Sequence, residues 1–148
     1  MRGAHLLWRV SRGMTLGVRG AAIDGEGRVC LIRHTYTAGW YLPGGGVEPG
    51  ETAVEALARE LVEEAEIVLD PAVPPLLHGF YLNDQVTARD HVALYVARAF
   101  TVRAPKRPDR EIAEAGFFPL DALPEGTTRA TRARLAEIVG GTPPAARW

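Results

Sequence analysis

Apolar and polar residues alternate early in the chain in a way that predicts two β-strands. Residues 15–23 are rich in small and β-branched side chains and end at a turn signal, Asp24-Gly25-Glu26-Gly27. Residues 28–33 form the second predicted strand, with Val29 and Leu31 on one face and Cys30 and Ile32 on the other. The short turn between the strands favours a hairpin with a four-residue loop.

A helical period replaces this alternation at residues 53–65, which consist almost wholly of good helix formers. Thr52 stands three residues before Glu55, which is the spacing of a capping box. The apolar positions recur at helical spacing and are expected to face the core: Val54, Leu57, Ala58, Leu61 and Ala65.

The rest of the chain predicts three more strands, at residues 67–69, 76–82 and 91–100, with a polar loop at 83–90 and a short strand at 115–118. A second helix is predicted at 128–139, capped by Thr128 and stopped by Gly140. Residues 1–14 are interpreted as an N-terminal extension and 142–148 as a mobile tail. The order of elements indicates one α/β domain, residues 1–148, with helices on both faces of one sheet.

Composition narrows the function without naming it. The 148 residues carry 17 basic and 18 acidic side chains, so a net charge of −1 argues against a nucleic-acid partner. Cys30 is the only cysteine, which excludes a disulfide framework, and Ser11 is the only serine, which excludes a G-x-S-x-G nucleophile elbow. No stretch approaches the length of a membrane span. We therefore expect a soluble, cytoplasmic protein without a membrane partner.

Three consecutive glycines, 44–46, precede the first predicted helix and follow the sequence Trp40-Tyr41-Leu42-Pro43. A glycine run costs conformational entropy on folding. The run therefore indicates a place where the backbone turns sharply or approaches a ligand closely.

An acidic cluster lies near the end of the same helix. At about 100° per residue, Glu60, Glu63 and Glu64 share one face. Like charges at this spacing cost roughly 0.2–0.5 kcal/mol per pair, and the negative end of the helix dipole adds to that cost. Either the face is simply solvated, with Arg59 pairing with Glu63, or it binds a hard divalent cation such as Mg²⁺ or Mn²⁺.

The spacing of residues 45–67 resembles the Nudix box, G-x5-E-x7-R-E-U-x-E-E-x-G-U, in which U is a bulky aliphatic residue. The matching positions are Gly45, Glu51, Arg59, Glu60, Leu61, Glu63, Glu64 and Ile67. The resemblance implies a Nudix-like α/β/α sandwich with a mixed central β-sheet. It also implies a divalent-metal-dependent hydrolase, with Mg²⁺ or Mn²⁺ as cofactor, that cleaves a nucleoside diphosphate linked to another moiety, a small-molecule partner.

The resemblance assigns roles to residues of the box. Glu60 and Glu64 are expected to be the main metal ligands, with Glu63 and the backbone carbonyl of Gly44 as further ligands. Arg59 and Glu51 match the structural ion pair of the family.

The general base stays open at this stage. In some relatives it is a glutamate of the box, which corresponds to Glu60 or Glu63 here. In others it lies in a later loop, where Glu111 and Glu114 are the candidates, and Glu111 is favoured as a late metal ligand or as the base.

Four residues are candidates for contacts with substrate. Arg33, at the end of the second strand, and Arg19, in the first, are candidates for binding phosphate. Trp40 is a candidate for stacking on a base, and Gly45 for close approach of the backbone to the ligand. ADP-ribose-like compounds and (deoxy)nucleoside triphosphates are the first candidate substrates.

The oligomeric state stays open at this stage. A homodimer through residues 6–10 or Trp148 is an alternative to a monomer.

One position departs from the pattern, because Glu66 stands where the box has glycine. Either Glu66 adopts a left-handed backbone conformation, which costs roughly 1 kcal/mol for a glutamate, or the helix runs slightly further. The extra carboxylate is also expected to lie close to the site. The departure motivates an alternative function, a nucleotide-binding domain with little or no turnover.

Overall fold

The structure, a computed structural model, describes residues 12–148, so most of the predicted N-terminal extension and the apolar segment 6–10 lie outside the described residues. Within this range the elements follow the order β1 Thr15–Ala22, β2 Arg28–His34, β3 Gly44–Gly46, α1 Ala53–Ala65, β4 Ile67–Leu69, β5 Leu76–Leu82, β6 Asp90–Ala97, β7 Phe100–Val102, β8 Ile112–Pro119 and α2 Arg129–Gly140. No helix in residues 12–148 is both long and apolar enough to cross a membrane.

The strands divide among three sheets rather than forming the single predicted one. The largest is mixed, with the order β3-β1-β6-β5, in which β1 and β6 are parallel and the other neighbours antiparallel. β2 pairs with β8, and β4 with β7. The predicted β1–β2 hairpin is wrong: the two strands share only an isolated bridge between Ile23 and Val29. A strand has two edges, and β1 uses both for β3 and β6.

Two apolar clusters lie on opposite faces of the strands, which gives the α/β/α arrangement. Leu57 and Leu61 of α1 pack in one cluster with Val18 of β1. Leu135 of α2 packs in the other with Ala21 of the same strand. The predicted division of β2 is confirmed, since Cys30 and Ile32 join the first cluster, and Val29 and Leu31 join the second.

The first helix begins as the sequence predicts. The Thr52 hydroxyl accepts the N–H of Glu55 at 3.1 Å, and the Glu55 carboxylate accepts the N–H of Thr52 at 2.8 Å. This reciprocal capping box satisfies two backbone donors that the helix itself leaves free. The capping box therefore determines where the helix begins, and with it which residues lie on the acidic face.

The helix ends at Glu66 in the left-handed conformation, with φ of 58°. The sequence predicts that the Glu66 carboxylate lies close to the acidic cluster, and this prediction is wrong. The carboxylate instead pairs with Arg103 at 2.8 Å. Its backbone N–H reaches the carbonyls of Leu61 and Val62, as helix-ending residues commonly do. Glu66 thus adopts the left-handed backbone conformation that favours glycine, the residue that the Nudix box has at this position.

Backbone strain at this position is measurable by comparing two substitutions. Glu66→Gly and Glu66→Ala both remove the ion pair with Arg103, but only alanine keeps a Cβ in the left-handed conformation. We expect the glycine variant to be more stable than the alanine variant by about 1 kcal/mol. Urea unfolding of both variants measures this difference, and equal midpoints would show that Glu66 is not strained.

The last strands differ from the prediction in two respects. The predicted strand 91–100 is divided into β6 and β7, and β8 is longer than the predicted strand 115–118. The predicted mobile tail has a defined path, because the N–H of Trp148 donates to the carbonyl of Leu82 and the N–H of Leu82 donates to that of Ala146. β5 therefore continues its pairing with residues from the end of the chain.

Candidate active site

The glycine run and the acidic helix meet, as their sequence suggested. β3 lies antiparallel to β1, and Gly44 stands opposite Arg19 in the register. The N–H of Gly44 donates to the Glu64 carboxylate at 2.7 Å. Gly45 lies so close to Glu60 that a Cβ on it would be 2.4 Å from Oε1. The strand therefore holds two carboxylates of α1 against its backbone.

Glu64 is the most perturbed acid of this cluster. It is buried, and burial raises the pKa of its carboxyl group to about 7, with the Glu60 and Glu111 carboxylates contributing. The N–H of Gly44 and the charge of Arg19 oppose this rise. A desolvated carboxylate among other carboxylates is a group that a bound cation would stabilise in its charged form.

Arg59 connects the loop before α1 to the acidic face. Its Nε and Nη2 donate to the two oxygens of Glu51 at 2.9 Å each, and Nη2 also donates to the carbonyl of Gly46 at 3.1 Å. Its Nη1 donates to Glu60 at 2.8 Å and lies 3.7 Å from Glu63. Arg59 thus touches loop, strand and cluster together, so that removing it would release all three.

The Glu51 ion pair predicts a pH dependence of stability. Arg59, with the backbone N–H of Glu48, lowers the pKa of Glu51 from 4.5 to about 2. Because the folded state holds the charged form more strongly, this contribution is complete above about pH 4.5 and is lost as the pH falls towards 2. We expect the loss of urea stability between pH 6 and pH 3 to be smaller in Glu51→Gln than in the wild type. Parallel curves would contradict this role of the pair.

An acidic cleft of about 380 Å³ lies beside the cluster and is lined by Glu63, Glu64 and residues 109–112. Glu111, the favoured late-loop acid, therefore reaches the same cleft as the helix. Asp109 holds its loop in place by accepting the N–H groups of Glu111 and Ile112 at 2.9 and 2.7 Å. Asp109 is not predicted from the sequence, where its place after Pro108 in a basic loop indicates only a turn.

The two arginines that the sequence nominated for phosphate occupy different places. Arg19 donates to the carbonyls of Leu42 and Gly44 at 3.1 and 3.4 Å, next to the acidic cluster. Arg33 instead pairs with Glu114 at 2.9 Å and lies over the ring of Trp40, 5.7 Å from its centroid. Of these two arginines, only Arg19 thus lies next to the acidic cluster of α1, through its contact with the glycine run.

Trp40 makes contacts typical of packing. Its ring meets that of Phe118 edge-on at 4.8 Å, and it lies against the second apolar cluster. Its backbone pairs with the segment before α2, donating to Gly126 and accepting from Thr128. A contact between Trp40 and substrate stays a prediction.

The donor set fits a hard divalent cation that keeps part of its water shell. In residues 12–148, no three His, Cys, Asp or Glu side chains are already arranged as a complete ligand group. Mg²⁺ commonly uses one or two carboxylates together with waters and substrate phosphates, so a complete protein cage is not required. The buried Glu64 beside Glu60 and the Gly44 carbonyl supplies oxygen donors of this kind.

The fold and the site together define a class of protein, an α/β/α domain in which an acidic helix, α1, packs against the glycine strand β3. The NUDIX domain family matches residues 14–137, so the chain belongs to the Nudix family, and the resemblance seen in the sequence is confirmed. A MutT Nudix hydrolase from Burkholderia pseudomallei has a similar structure, with a TM-score of 0.71 and 28% identity, covering 84% of this chain and 97% of that one.

Two curated relatives are similar over part of the chain. An ADP-ribose pyrophosphatase of Methanocaldococcus jannaschii is 33% identical over 70% of this chain and 64% of its own length. An 8-oxo-dGDP phosphatase of Mus musculus is 33% identical over 57% of this chain. The match spans only a quarter of the mouse protein's length.

Proposed function

We propose that this protein is a divalent-metal-dependent pyrophosphohydrolase acting on a nucleoside diphosphate linked to another moiety. The observation that carries the proposal is the buried Glu64 carboxylate, held by the N–H of Gly44 beside Glu60 and Glu111. A carboxylate that is buried next to other carboxylates is costly without a cation to stabilise its charge. The activities named for the two relatives, on ADP-ribose and on 8-oxo-dGDP, support this substrate class.

In this proposal Glu60, Glu63, Glu64 and the carbonyl of Gly44 hold Mg²⁺ or Mn²⁺. When bound, the ion supplies positive charge at the pyrophosphate oxygens and favours ionisation of the attacking water. The chain's own contribution is positioning: Arg59 fixes Glu60, and Glu51 fixes Arg59.

We assign the general base to Glu111. Glu114 is paired with Arg33, and Glu60 with Arg59, so an arginine already occupies both carboxylates. Glu63 and Glu111 both line the acidic cleft, but Asp109 fixes only the loop of Glu111. Glu111 would take a proton from the water as the water oxygen forms a bond to phosphorus. The bond between that phosphorus and the bridging oxygen would break, and the leaving phosphate would keep the bridging oxygen with its electron pair.

Arg19 is the phosphate-binding group of this proposal. Its guanidinium lies against the Gly44 carbonyl, and its charge acts on Glu64, so a diphosphate placed at the cluster would be within its influence. Gly45 would let the strand approach the substrate closely. ADP-ribose-like compounds and (deoxy)nucleoside triphosphates remain the first candidate substrates.

Hydrolysis of a substrate panel tests the function. ADP-ribose, 8-oxo-dGDP and the (deoxy)nucleoside triphosphates are incubated with Mg²⁺, with Mn²⁺ and with EDTA. We expect release of a nucleotide product from at least one compound, abolished by EDTA. If no compound is hydrolysed but one raises the melting temperature, the protein is a nucleotide-binding domain instead.

A further inference from the structure

A second cavity of about 260 Å³, here called the side cavity, adjoins Arg19. Small-molecule sites commonly measure roughly 300–1,000 Å³, so the side cavity suits one fragment of a nucleotide rather than the whole. Arg19 lines it and also contacts Gly44 of the acidic site. A ligand with its phosphates at the acidic site would therefore place its remaining part towards the side cavity.

The walls of the side cavity combine apolar and hydrogen-bonding groups. Leu42, Val86 and Trp148 supply apolar surface, while Asn83 and Gln85 supply amide groups and Arg129 a guanidinium. A flat heterocycle with donors and acceptors on its edges fits such walls, whereas a bare sugar or phosphate would leave the apolar surface without a partner. The chemistry of the cavity thus matches a nucleobase.

Trp148 is fixed in this wall by contacts on both its backbone and its ring. Its N–H donates to the Leu82 carbonyl at 3.0 Å, and its ring meets the edge of Tyr81 with centroids 5.4 Å apart. The Arg134 guanidinium lies 5.9 Å from the ring centroid and donates to the carbonyl of Arg147 at 2.5 Å.

A buried acid secures the segment that carries Trp148. Glu137, 8% exposed, accepts the N–H of Ala145 and the hydroxyl of Tyr81 at 2.9 Å each. It also pairs with Arg134 at 3.0 Å. Because Glu137, Tyr81 and Arg134 are buried, they hold the segment in place before any ligand arrives, which lowers the entropic cost of binding.

We propose that Trp148 is the aromatic surface against which the nucleobase of the substrate packs in the side cavity, so that it sets the preference for nucleotides over base-free phosphates. The inference rests on the proposed function for the position of the phosphates. It assigns specificity to a residue outside the matched family region, 14–137. Glu137 and Arg134 act as positioning residues for it.

Equilibrium binding without metal tests the proposal, because it does not depend on turnover. AMP, GMP, CMP and UMP are compared with ribose 5-phosphate, which carries the same sugar and phosphate without a base. We expect at least one nucleotide to bind more tightly than ribose 5-phosphate, and Trp148→Leu to reduce this preference by about five- to 150-fold, the usual effect of losing one base–aromatic stack.

Two further variants control for folding. Trp148→Phe keeps an aromatic ring and is expected to retain most of the preference. Phe80→Leu makes the same kind of change at an aromatic side chain that is 57% exposed on β5, and is expected to leave the preference unchanged. An unchanged preference in Trp148→Leu, or a wild type that binds no nucleotide better than ribose 5-phosphate, overturns the proposal.

The outcomes also separate this inference from the proposed function. Hydrolysis of the panel without any dependence of binding on Trp148 would refute the role of Trp148 and leave the hydrolase intact. Base-dependent binding through Trp148 without hydrolysis would support the side cavity and refute the hydrolase.

Discussion

Glu64→Gln is expected to lower kcat/KM by more than about 10²-fold while the protein stays folded. Changes to groups that only support a metal ligand cost about 10–100-fold, and Glu64 is proposed as a ligand itself. The amide oxygen of glutamine still accepts the N–H of Gly44, so the contact between α1 and β3 is retained. What the variant loses is the negative charge.

The stability of Glu64→Gln is not expected to fall with its activity. Burial makes the Glu64 carboxylate costly, as its raised pKa of about 7 indicates, so the neutral amide does not lower the free energy of unfolding of the metal-free protein. Steady-state kinetics and urea unfolding in EDTA measure the two effects. Glu125→Gln, at an exposed loop position, is the matched control and should change neither. Wild-type kinetics in Glu64→Gln would refute its role as a ligand.

The features of the site that the sequence predicts are those determined by residues close to one another in the chain. The capping box at Thr52 sets where α1 begins, and the helical period then places Glu60, Glu63 and Glu64 on one face. Likewise, the glycine run indicated a close backbone approach, and Gly44 and Gly45 do lie against carboxylates. No information from distant parts of the chain was needed for these features.

The parts that the sequence did not predict depend on distant partners. The β1–β2 hairpin failed because β1 pairs with β6, a strand some 75 residues later in the chain, as in the register of Thr15 with Asp90. The contacts of Trp148 with Leu82 and Arg134 join distant parts of the chain, so nothing in the local sequence of residues 142–148 predicts them. Glu66 is a third case: the sequence leaves open whether its backbone is left-handed or the helix continues, and nothing near it in the chain predicts its pairing with Arg103.

Alanine substitutions at the three glycines of β3 should separate stability from activity. At Gly44, φ is 155°, and a Cβ would lie 1.9 Å from the carbonyl oxygen of Val18 and 2.9 Å from the Cα of Arg19. Both atoms belong to the backbone of β1 and cannot move without disturbing the sheet. We therefore expect Gly44→Ala to lower the free energy of unfolding by about 2–5 kcal/mol.

Gly45→Ala meets a side chain instead of backbone. Its Cβ would lie 2.4 Å from Oε1 of Glu60, the oxygen that accepts from Arg59, and the end of that side chain can move aside. The fold should persist, but the displaced carboxylate would no longer stand where the site needs it. A displacement of about 1 Å can cost 10²-fold in rate, and we expect a loss of kcat/KM of that order.

Gly46→Ala is the control within the same strand, because nothing lies within 4 Å of its added Cβ. It should keep wild-type activity, and its stability should be unchanged or higher by up to about 1 kcal/mol through the lower entropy of the unfolded chain. Urea unfolding and steady-state kinetics of the three variants then give three distinct results for three adjacent residues. If Gly45→Ala were as active as Gly46→Ala, the position of Glu60 against β3 would have no part in the reaction.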